Sequence, residues 1–176
     1  MEYTSPDPQA VVRAANVRAT LEAFRLLPDV GRRLIERHQL ELADLRPENF
    51  VPLQRWLDAL KAIEELVGAA KLRDVGRNII ESADIPPSDT ETLLLNLNDV
   101  YRQNHKGNVG RYLSHRLPDG AVEIHCETPY PRHFEWGLVE SFCRNQRANQ
   151  GARFSAEFIE GEPKGERTCT LIVRKL

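Results

Sequence analysis

The sequence lacks the features of membrane-spanning and exported proteins, and it has no CxxC pair of cysteines. No apolar run approaches the roughly 20 residues that a membrane-spanning helix needs, so we expect no membrane partner. The N-terminal sequence MEYTSPDPQA has neither the cationic start nor the apolar core of an export signal. The three cysteines, Cys126, Cys143 and Cys169, form no CxxC pair. Together these absences predict a cytoplasmic protein with reduced thiols.

An excess of positive charge is also missing. Lys and Arg number 24 against 26 Asp and Glu, which gives a formal net charge of −2. Because no overall basic field would attract a polyanion, we expect no nucleic-acid partner. The chain has no glycine-rich phosphate loop and no nucleophile elbow, and no cysteine–histidine spacing indicates a positioned base. The sequence therefore predicts no catalytic residues and a protein that is not an enzyme.

The chain does contain enough hydrophobic residues for one core. Its 176 residues, of which 41% are hydrophobic, can bury one sizeable core but hardly two. Residues 1–8 hold two prolines and no periodicity, which predicts a flexible tail. We expect residues 9–176 to form a single domain, with a helical subregion over residues 9–106 and a sheet subregion over residues 107–176.

Helical spacing of apolar residues runs through the first half of the chain. It predicts a first helix over residues 8–27, ended by Pro28, and a loop over residues 41–51. The clearest stripe predicts a helix that Gly68 caps, with an apolar face made of Leu53, Trp56, Leu57, Leu60, Ile63 and Val67. The sequence Ser88-Asp89-Thr90-Glu91 predicts a capping box with Ser88 at the N-cap of one continuous helix.

The period of the apolar residues changes from helical to alternating after Gly107. Two alternating segments flank the turn sequence Pro118-Asp119-Gly120 and predict a β-hairpin. A helically spaced segment around Phe134 follows, and a second hairpin with a turn over residues 161–165 closes the chain. The order strand, strand, helix, strand, strand after a helical half predicts an α+β fold, in which the helical half packs on a four-stranded antiparallel sheet.

Three polar residues, Tyr112, Ser114 and Arg116, are spaced by two at the start of the sheet region. On a strand they share one face, where a guanidinium and two hydroxyls can bind one carboxylate. The same spacing fits a solvated strand face, or a brace in which Arg116 pairs with Glu123 across the hairpin. We predict a ligand site at these three residues, with the two other interpretations open.

Further candidate residues lie in and just after the first hairpin. Tyr130 and Trp136 flank the start of the next helix, where their rings could line a pocket mouth, so we add them to the predicted ligand site. His125, Cys126 and His133 are close in sequence, but His125 and Cys126 point to opposite faces of a strand. Because one ion cannot reach both without a bulge, we expect no metal site.

The segment YLSHR also carries a family resemblance. It fits the Tyr-x-Ser-x-Arg motif of haem-nitric oxide/oxygen binding (H-NOX) domains, and the predicted strand and helix order looks like the C-terminal half of that fold. The chain resembles more strongly a haem-free branch of the superfamily, the 4-vinyl reductase-like domains. The similar segments are VGRYLSHR, PYPRHFEWGLVESF, GERTCTLIV and, upstream, LRDVGRNIIESADIPP, so that the resemblance covers residues 72–176.

The chain departs from the H-NOX pattern at the haem ligand. In H-NOX domains a histidine several helical turns before the Tyr of the motif holds the iron. This chain has no histidine between His38 and His105, and His105 is too close to Tyr112. Some vinyl reductase-like domains hold zinc with a C-terminal cysteine cluster, of which only Cys169 is present here. We therefore expect no cofactor, with haem as the alternative.

The resemblance implies a non-enzymatic module of bacterial signalling that senses a small molecule. The ligand is expected to be apolar or amphipathic and to lie between the helical half and the sheet. Tyr112, Ser114 and Arg116 would contact it, as the motif contacts the haem propionates in H-NOX domains. A signalling protein or a second copy of the chain would respond to its occupancy. Two alternatives stay open: a haem-based sensor of NO or O2, and a structural adaptor without ligand.

Overall fold

The computed structural model describes residues 2–82, 88–145, 149, 151–159 and 168–176. The helices of the described chain are α1 (Ala14–Ala23), α2 (Pro28–Arg37), α3 (Leu53–Val67), α4 (Ala69–Ser82), α5 (Thr90–Leu95), α6 (Leu97–Gln103) and α7 (Arg132–Arg144), with a 3-10 turn at Leu42–Asp44. The strands are β1 (Val11–Arg13), β2 (Phe50–Pro52), β3 (His105–Lys106), β4 (Arg111–Arg116), β5 (Val122–Glu127), β6 (Phe154–Phe158) and β7 (Cys169–Lys175).

The C-terminal half is built on an antiparallel sheet with the strand order β4-β5-β7-β6. Helix α7 connects the two hairpins and packs on this sheet. The predicted α+β fold and the order strand, strand, helix, strand, strand are confirmed. The turn predicted over residues 161–165 lies outside the described residues.

A second, smaller sheet with the order β2-β1-β3 was not predicted. Val12 of β1 pairs with Val51 of β2 on one side and with His105 of β3 on the other. The predictions of a helix from residue 8 and of a loop up to residue 51 are therefore wrong at these positions. Strands of two or three residues are too short for a period to show, and their partners are distant in sequence.

The N-terminal cap of α5 also differs from its prediction. Asp89, not Ser88, is the N-cap, and its carboxylate accepts a hydrogen bond of 2.9 Å from the backbone N–H of Thr92. The predicted single helix is divided in two at Asn96, whose side-chain amide donates to the carbonyl oxygen of Thr92 at 2.8 Å. An asparagine that binds the backbone of the preceding turn competes with the helical pattern there.

The residues predicted as a tail make contacts with the rest of the chain. The backbone N–H of Tyr3 donates to the carbonyl oxygen of Pro129 at 2.8 Å, and its hydroxyl donates to Glu64. The backbone N–H of Ser5 donates to Gln54 at 2.8 Å. The division of the chain into a tail and one domain with two subregions stays a prediction.

Helices α4 and α7 approach each other unusually closely, through two glycines. A Cβ atom on Gly76 would lie 2.2 Å from the carbonyl oxygen of Phe134, and one on Gly137 would lie 2.0 Å from that of Arg73. Beside this contact, Glu140 of α7 accepts hydrogen bonds from the guanidinium groups of Arg73 and Arg77 of α4. The contact fixes α7 against the helical half while its other side packs on the sheet.

One hydrophobic core extends from the helices to the inner face of the four-stranded sheet. Its largest fully buried side chains include Trp56 of α3, Tyr130 and Phe134 at the start of α7, and Phe142 at the end of α7. No helix among the described residues combines the length and the apolar character that crossing a membrane requires.

Candidate functional site

A cavity of about 40 Å³ lies between the helices and the inner face of the sheet. Its walls come from α1, α3, α4, α6, β4 and α7, so both halves of the chain contribute. A water molecule needs about 10–15 Å³ of this kind of volume. The cavity therefore has room for a few non-hydrogen atoms.

Aromatic side chains form one wall of this cavity. The ring of Trp56 lies 5.2 Å from that of Tyr130 and 5.5 Å from that of Phe134, both in edge-to-face arrangements. The indole N–H of Trp56 donates to the hydroxyl of Thr20 at 3.2 Å, which fixes the ring plane. This wall is apolar toward the cavity, and its polar atoms are hydrogen-bonded to other groups of the protein.

His105 contributes a polar side chain with both ring nitrogens in hydrogen bonds. Its Nδ1 donates to the carbonyl oxygen of Tyr101 at 2.8 Å, so its Nε2 accepts from the hydroxyl of Tyr130 at 2.6 Å. Burial lowers the pKa of His105 to about 4. The imidazole is therefore neutral at pH 7.

A buried carboxyl group lies behind the cavity, at Glu135 in the first turn of α7. The hydroxyl of Tyr112 donates to it at 2.5 Å, and the hydroxyl of Thr128 donates to its other oxygen. Burial raises the pKa of Glu135 to about 7, although both hydrogen bonds favour the ionised form. Burial also raises the pKa of Tyr112, and Glu135 adds to that shift. The side chain of Glu135 was not identified from the sequence, because a glutamate in a first helical turn is ordinarily exposed.

Two buried amide oxygens at the cavity have no hydrogen-bond partner. Asn16 of α1 and Asn104, directly after α6, are 4% and 5% exposed, and the Oδ1 atom of each is unpaired. Both residues line the cavity. Buried polar groups are nearly always paired with protein, water or ligand, so these two acceptors favour an occupant that can donate. Sequence reasoning missed both, since a single asparagine at a helix is usually a surface residue.

Two of the predicted site residues line this cavity. Tyr112 and Tyr130 do so, but the hydroxyl of Tyr112 binds Glu135 and that of Tyr130 binds His105. Their hydroxyl protons are therefore engaged within the protein. The predicted ligand-binding role of the two tyrosines stays a prediction.

The other three predicted site residues lie away from the cavity. Arg116, at the end of β4, has 59% of its side chain exposed and pairs with Glu91, not with Glu123 across the hairpin. Trp136 packs against Phe158, with ring centroids 4.8 Å apart, and donates to a carbonyl oxygen of β6. The Oγ atom of Ser114 is buried without a hydrogen-bond partner. Tyr112, Ser114 and Arg116 share a strand face without converging on one point.

The search of solved structures finds proteins similar to this chain, whereas no protein-family model and no curated protein matches it. An H-NOX protein from S. oneidensis in the Fe(II)NO ligation state is 10% identical, with a TM-score of 0.67 over 93% of this chain and 99% of that one. A variant of the T. tengcongensis H-NOX protein is 15% identical, with a TM-score of 0.64 over 91% and 94% of the two chains. A structure solved to probe haem distortion in the H-NOX family is 18% identical, with a TM-score of 0.65 over 93% of each.

These similarities show that the chain has an H-NOX-like fold, and they extend the resemblance from residues 72–176 to nearly the whole chain. They also correct the expectation of no cofactor. The similar structures are H-NOX proteins, studied for their iron ligation and for the distortion of their haem. Haem is therefore the cofactor named for the proteins that share this fold.

The interior of this structure does not fit a haem as it stands. The cavity measures about 40 Å³, whereas pockets for drug-sized ligands measure about 300–1,000 Å³. Trp56, Tyr130 and Phe134 pack against one another in its wall. His105 lines the cavity, but Tyr130 occupies the lone pair of its Nε2. A haem would require these rings to separate and the Tyr130 hydroxyl to leave His105.

Proposed function

We propose that this chain is a sensor domain whose ligand binds in the cavity between the helices and the sheet. The ligand is a small, mostly apolar molecule that carries a hydrogen-bond donor. The pair of unpaired Oδ1 atoms of Asn16 and Asn104 carries this proposal, because a buried acceptor without a partner costs about 1–3 kcal/mol that a donating ligand recovers. The H-NOX-like fold supports it as an analogy.

The proposed signal begins at α7. This helix contributes Phe134, Leu138 and Phe142 to the cavity wall, and it also contacts α4 through the glycine contact and packs on the sheet. A ligand that fills the cavity therefore biases the position of α7 relative to α4. A signalling protein or a second copy of the chain responds to that position. Binding without catalysis is part of the proposal.

A haem-based gas sensor is the second candidate, favoured by the haem proteins that share the fold. The two candidates differ in an observable way. Haem gives the purified or haem-titrated protein a Soret absorption band, whereas a small apolar donor gives none. His105→Ala abolishes an iron–imidazole band if that residue holds the iron.

Native mass spectrometry of the purified protein tests the proposal directly. We expect a small bound mass, reduced in Asn16→Leu and Asn104→Leu and kept in Asn108→Leu, whose side chain is exposed and outside the cavity. Circular dichroism of each variant checks that it is folded.

Two probe molecules test the role of the donor. 2-Propanol and acetone have a similar shape with four non-hydrogen atoms each, but only 2-propanol donates a hydrogen bond. We expect 2-propanol to raise the melting temperature more than acetone in the wild type, and equally in Asn104→Leu. A protein that carries no bound mass and responds to neither probe would contradict the proposal.

A further inference from the structure

The outer face of the β4–β5 hairpin brings together three side chains with metal-binding atoms. His115 of β4 lies directly opposite Glu123 of β5, and His125 follows Glu123 by two residues on the same strand. Successive side chains of a strand alternate between its faces, so all three project from the side opposite Tyr112. The sequence analysis expected no metal site, because it weighed His125 with its neighbours in sequence and not with residues across the hairpin.

The three groups are already close to the geometry of a bound ion. The Nε2 atom of His125 lies 2.6 Å from one oxygen of Glu123, and the Nε2 atom of His115 lies 3.3 Å from the other. The candidate ligand atoms all lie within 4.8 Å of one another. In a tetrahedral zinc site with bonds of about 2.0–2.1 Å, ligand atoms are about 3.3 Å apart. Side-chain rotations alone can bring the three ligand atoms to these distances from one another.

The charge of the cluster also favours a cation. Among the described residues, Glu123 has ion-pair contacts with His115 and His125 only. The nearby Glu127 is paired with Arg111, at 2.7 Å. No Lys or Arg in the described part of the chain pairs with the Glu123 carboxylate, which is therefore available to a metal ion.

We propose that His115, Glu123 and His125 bind a divalent ion of the zinc type. Two imidazoles and one carboxylate are a ligand set that suits Zn²⁺. The side chain of His115 is 52% exposed and those of Glu123 and His125 are 19% and 16% exposed, so the ion keeps at least one coordination position open to water or to a partner. The strand pairing of β5 with β4 and β7 holds two of the three ligands on one rigid strand. This site is independent of the proposed ligand cavity, which lies on the other face of the sheet.

Isothermal titration of protein without an affinity tag with ZnCl2 tests this inference. We expect one Zn²⁺ per chain, with the affinity lowered at least about tenfold in each of His115→Ala and His125→Ala. His133→Ala is the matched control, because His133 lies on α7 outside the cluster, and it should bind as the wild type does. MgCl2, which prefers oxygen ligands, should bind far more weakly.

Cobalt substitution distinguishes this cluster from the thiols of the chain. Co²⁺ bound by nitrogen and oxygen gives visible d–d bands without the intense charge-transfer band of a thiolate. We expect this spectrum in the wild type and its loss in His125→Ala. Zinc binding that survives the double variant His115→Ala with His125→Ala, or a thiolate band, would overturn the proposal.

Discussion

Residues alternate between the two faces of the β4–β5 hairpin, and the polar side chains of the two faces have different roles. On the inner face, Tyr112 is buried and its hydroxyl is bound by Glu135 of α7. On the outer face, His115 and His125 meet Glu123, and their side chains keep contact with solvent. Polar groups that a helix covers must find partners within the protein, whereas those on an open face stay available to an ion.

This contrast predicts which substitutions reduce stability and which alter metal binding. Changes on the inner side, including the helix that covers it, should reduce the free energy of unfolding. Changes on the outer side should alter metal binding with little effect on stability.

The largest effect is expected at the covering helix itself, from Gly137→Ala. The added Cβ would lie 2.0 Å from the carbonyl oxygen of Arg73, a backbone atom that cannot rotate away. Overpacking typically costs about 1–3 kcal/mol, and we expect about 3 kcal/mol or more here. Urea denaturation followed by circular dichroism measures the loss. Gly76→Ala on the facing helix should behave alike, and a wild-type midpoint in both variants would contradict the close approach of α4 and α7.

The second prediction concerns pH, because two buried groups on the inner side titrate in opposite senses. The pKa of Glu135 is raised from 4.5 to about 7, so the unfolded chain releases this proton first and stability falls as the pH rises from about 4.5 to 7. The pKa of His105 is lowered from 6.5 to about 4, so the unfolded chain takes up a proton that the folded chain refuses. Its contribution to stability rises with pH from about 4 to 6.5.

These two contributions, each on the order of 3 kcal/mol, largely cancel in the wild type. Replacing one group should reveal the other. We expect the stability of Glu135→Gln to increase between pH 4 and 6.5, and that of His105→Gln to decrease between pH 4.5 and 7. Urea midpoints measured across this range test both signs. Profiles of both variants that run parallel to the wild type would show that neither group is shifted.

A smaller loss, about 1–2 kcal/mol, is expected from Tyr112→Phe. The variant removes the hydroxyl that donates to Glu135 at 2.5 Å and leaves the ring packing unchanged. Because that hydrogen bond favours the ionised carboxylate, its loss should also move the pKa of Glu135 further upward. The outer-face variant His115→Ala is the control and should change stability by less than about 0.5 kcal/mol. Equal losses in the two variants would remove the distinction between the faces.

The smallest effect is expected from Arg116→Ala, at the exposed end of the inner face. Arg116 pairs with Glu91 on the surface, and exposed ion pairs contribute about 0–1 kcal/mol. Since Arg116 does not line the cavity, 2-propanol should bind the variant as it binds the wild type. An affinity loss of tenfold or more would place Arg116 at the ligand after all.

Local sequence patterns predicted the α+β fold, and the elements that these patterns missed depend on contacts between residues far apart in sequence. The turn at Pro118-Asp119-Gly120 fixes the first hairpin, and Gly120 indeed has a φ of 85°. The sheet of β1, β2 and β3 depends on pairings such as Val12 with His105, far apart in sequence. No local pattern encodes such a contact.

The candidate sites differ in the same way. The outer cluster was within reach of the sequence, because a hairpin turn at Asp119-Gly120 places His115 opposite Glu123, with His125 on the same face. The unpaired oxygens of Asn16 and Asn104 could not be predicted from the sequence, since their burial arises from helices packed in three dimensions. The register of a hairpin can be predicted from a sequence, whereas the residues that are buried where several helices pack together cannot.

The two tryptophans give this protein a built-in optical probe. Trp56 is 1% exposed and forms part of the cavity wall, whereas Trp136 lies under the guanidinium of Arg73, 3.3 Å from its ring centroid, at the α4–α7 contact. Fluorescence of Trp136→Phe would therefore report events in the cavity, and that of Trp56→Phe would report displacement of α7. Comparing the two signals after rapid mixing with 2-propanol would reveal whether α7 moves before or after the cavity is filled.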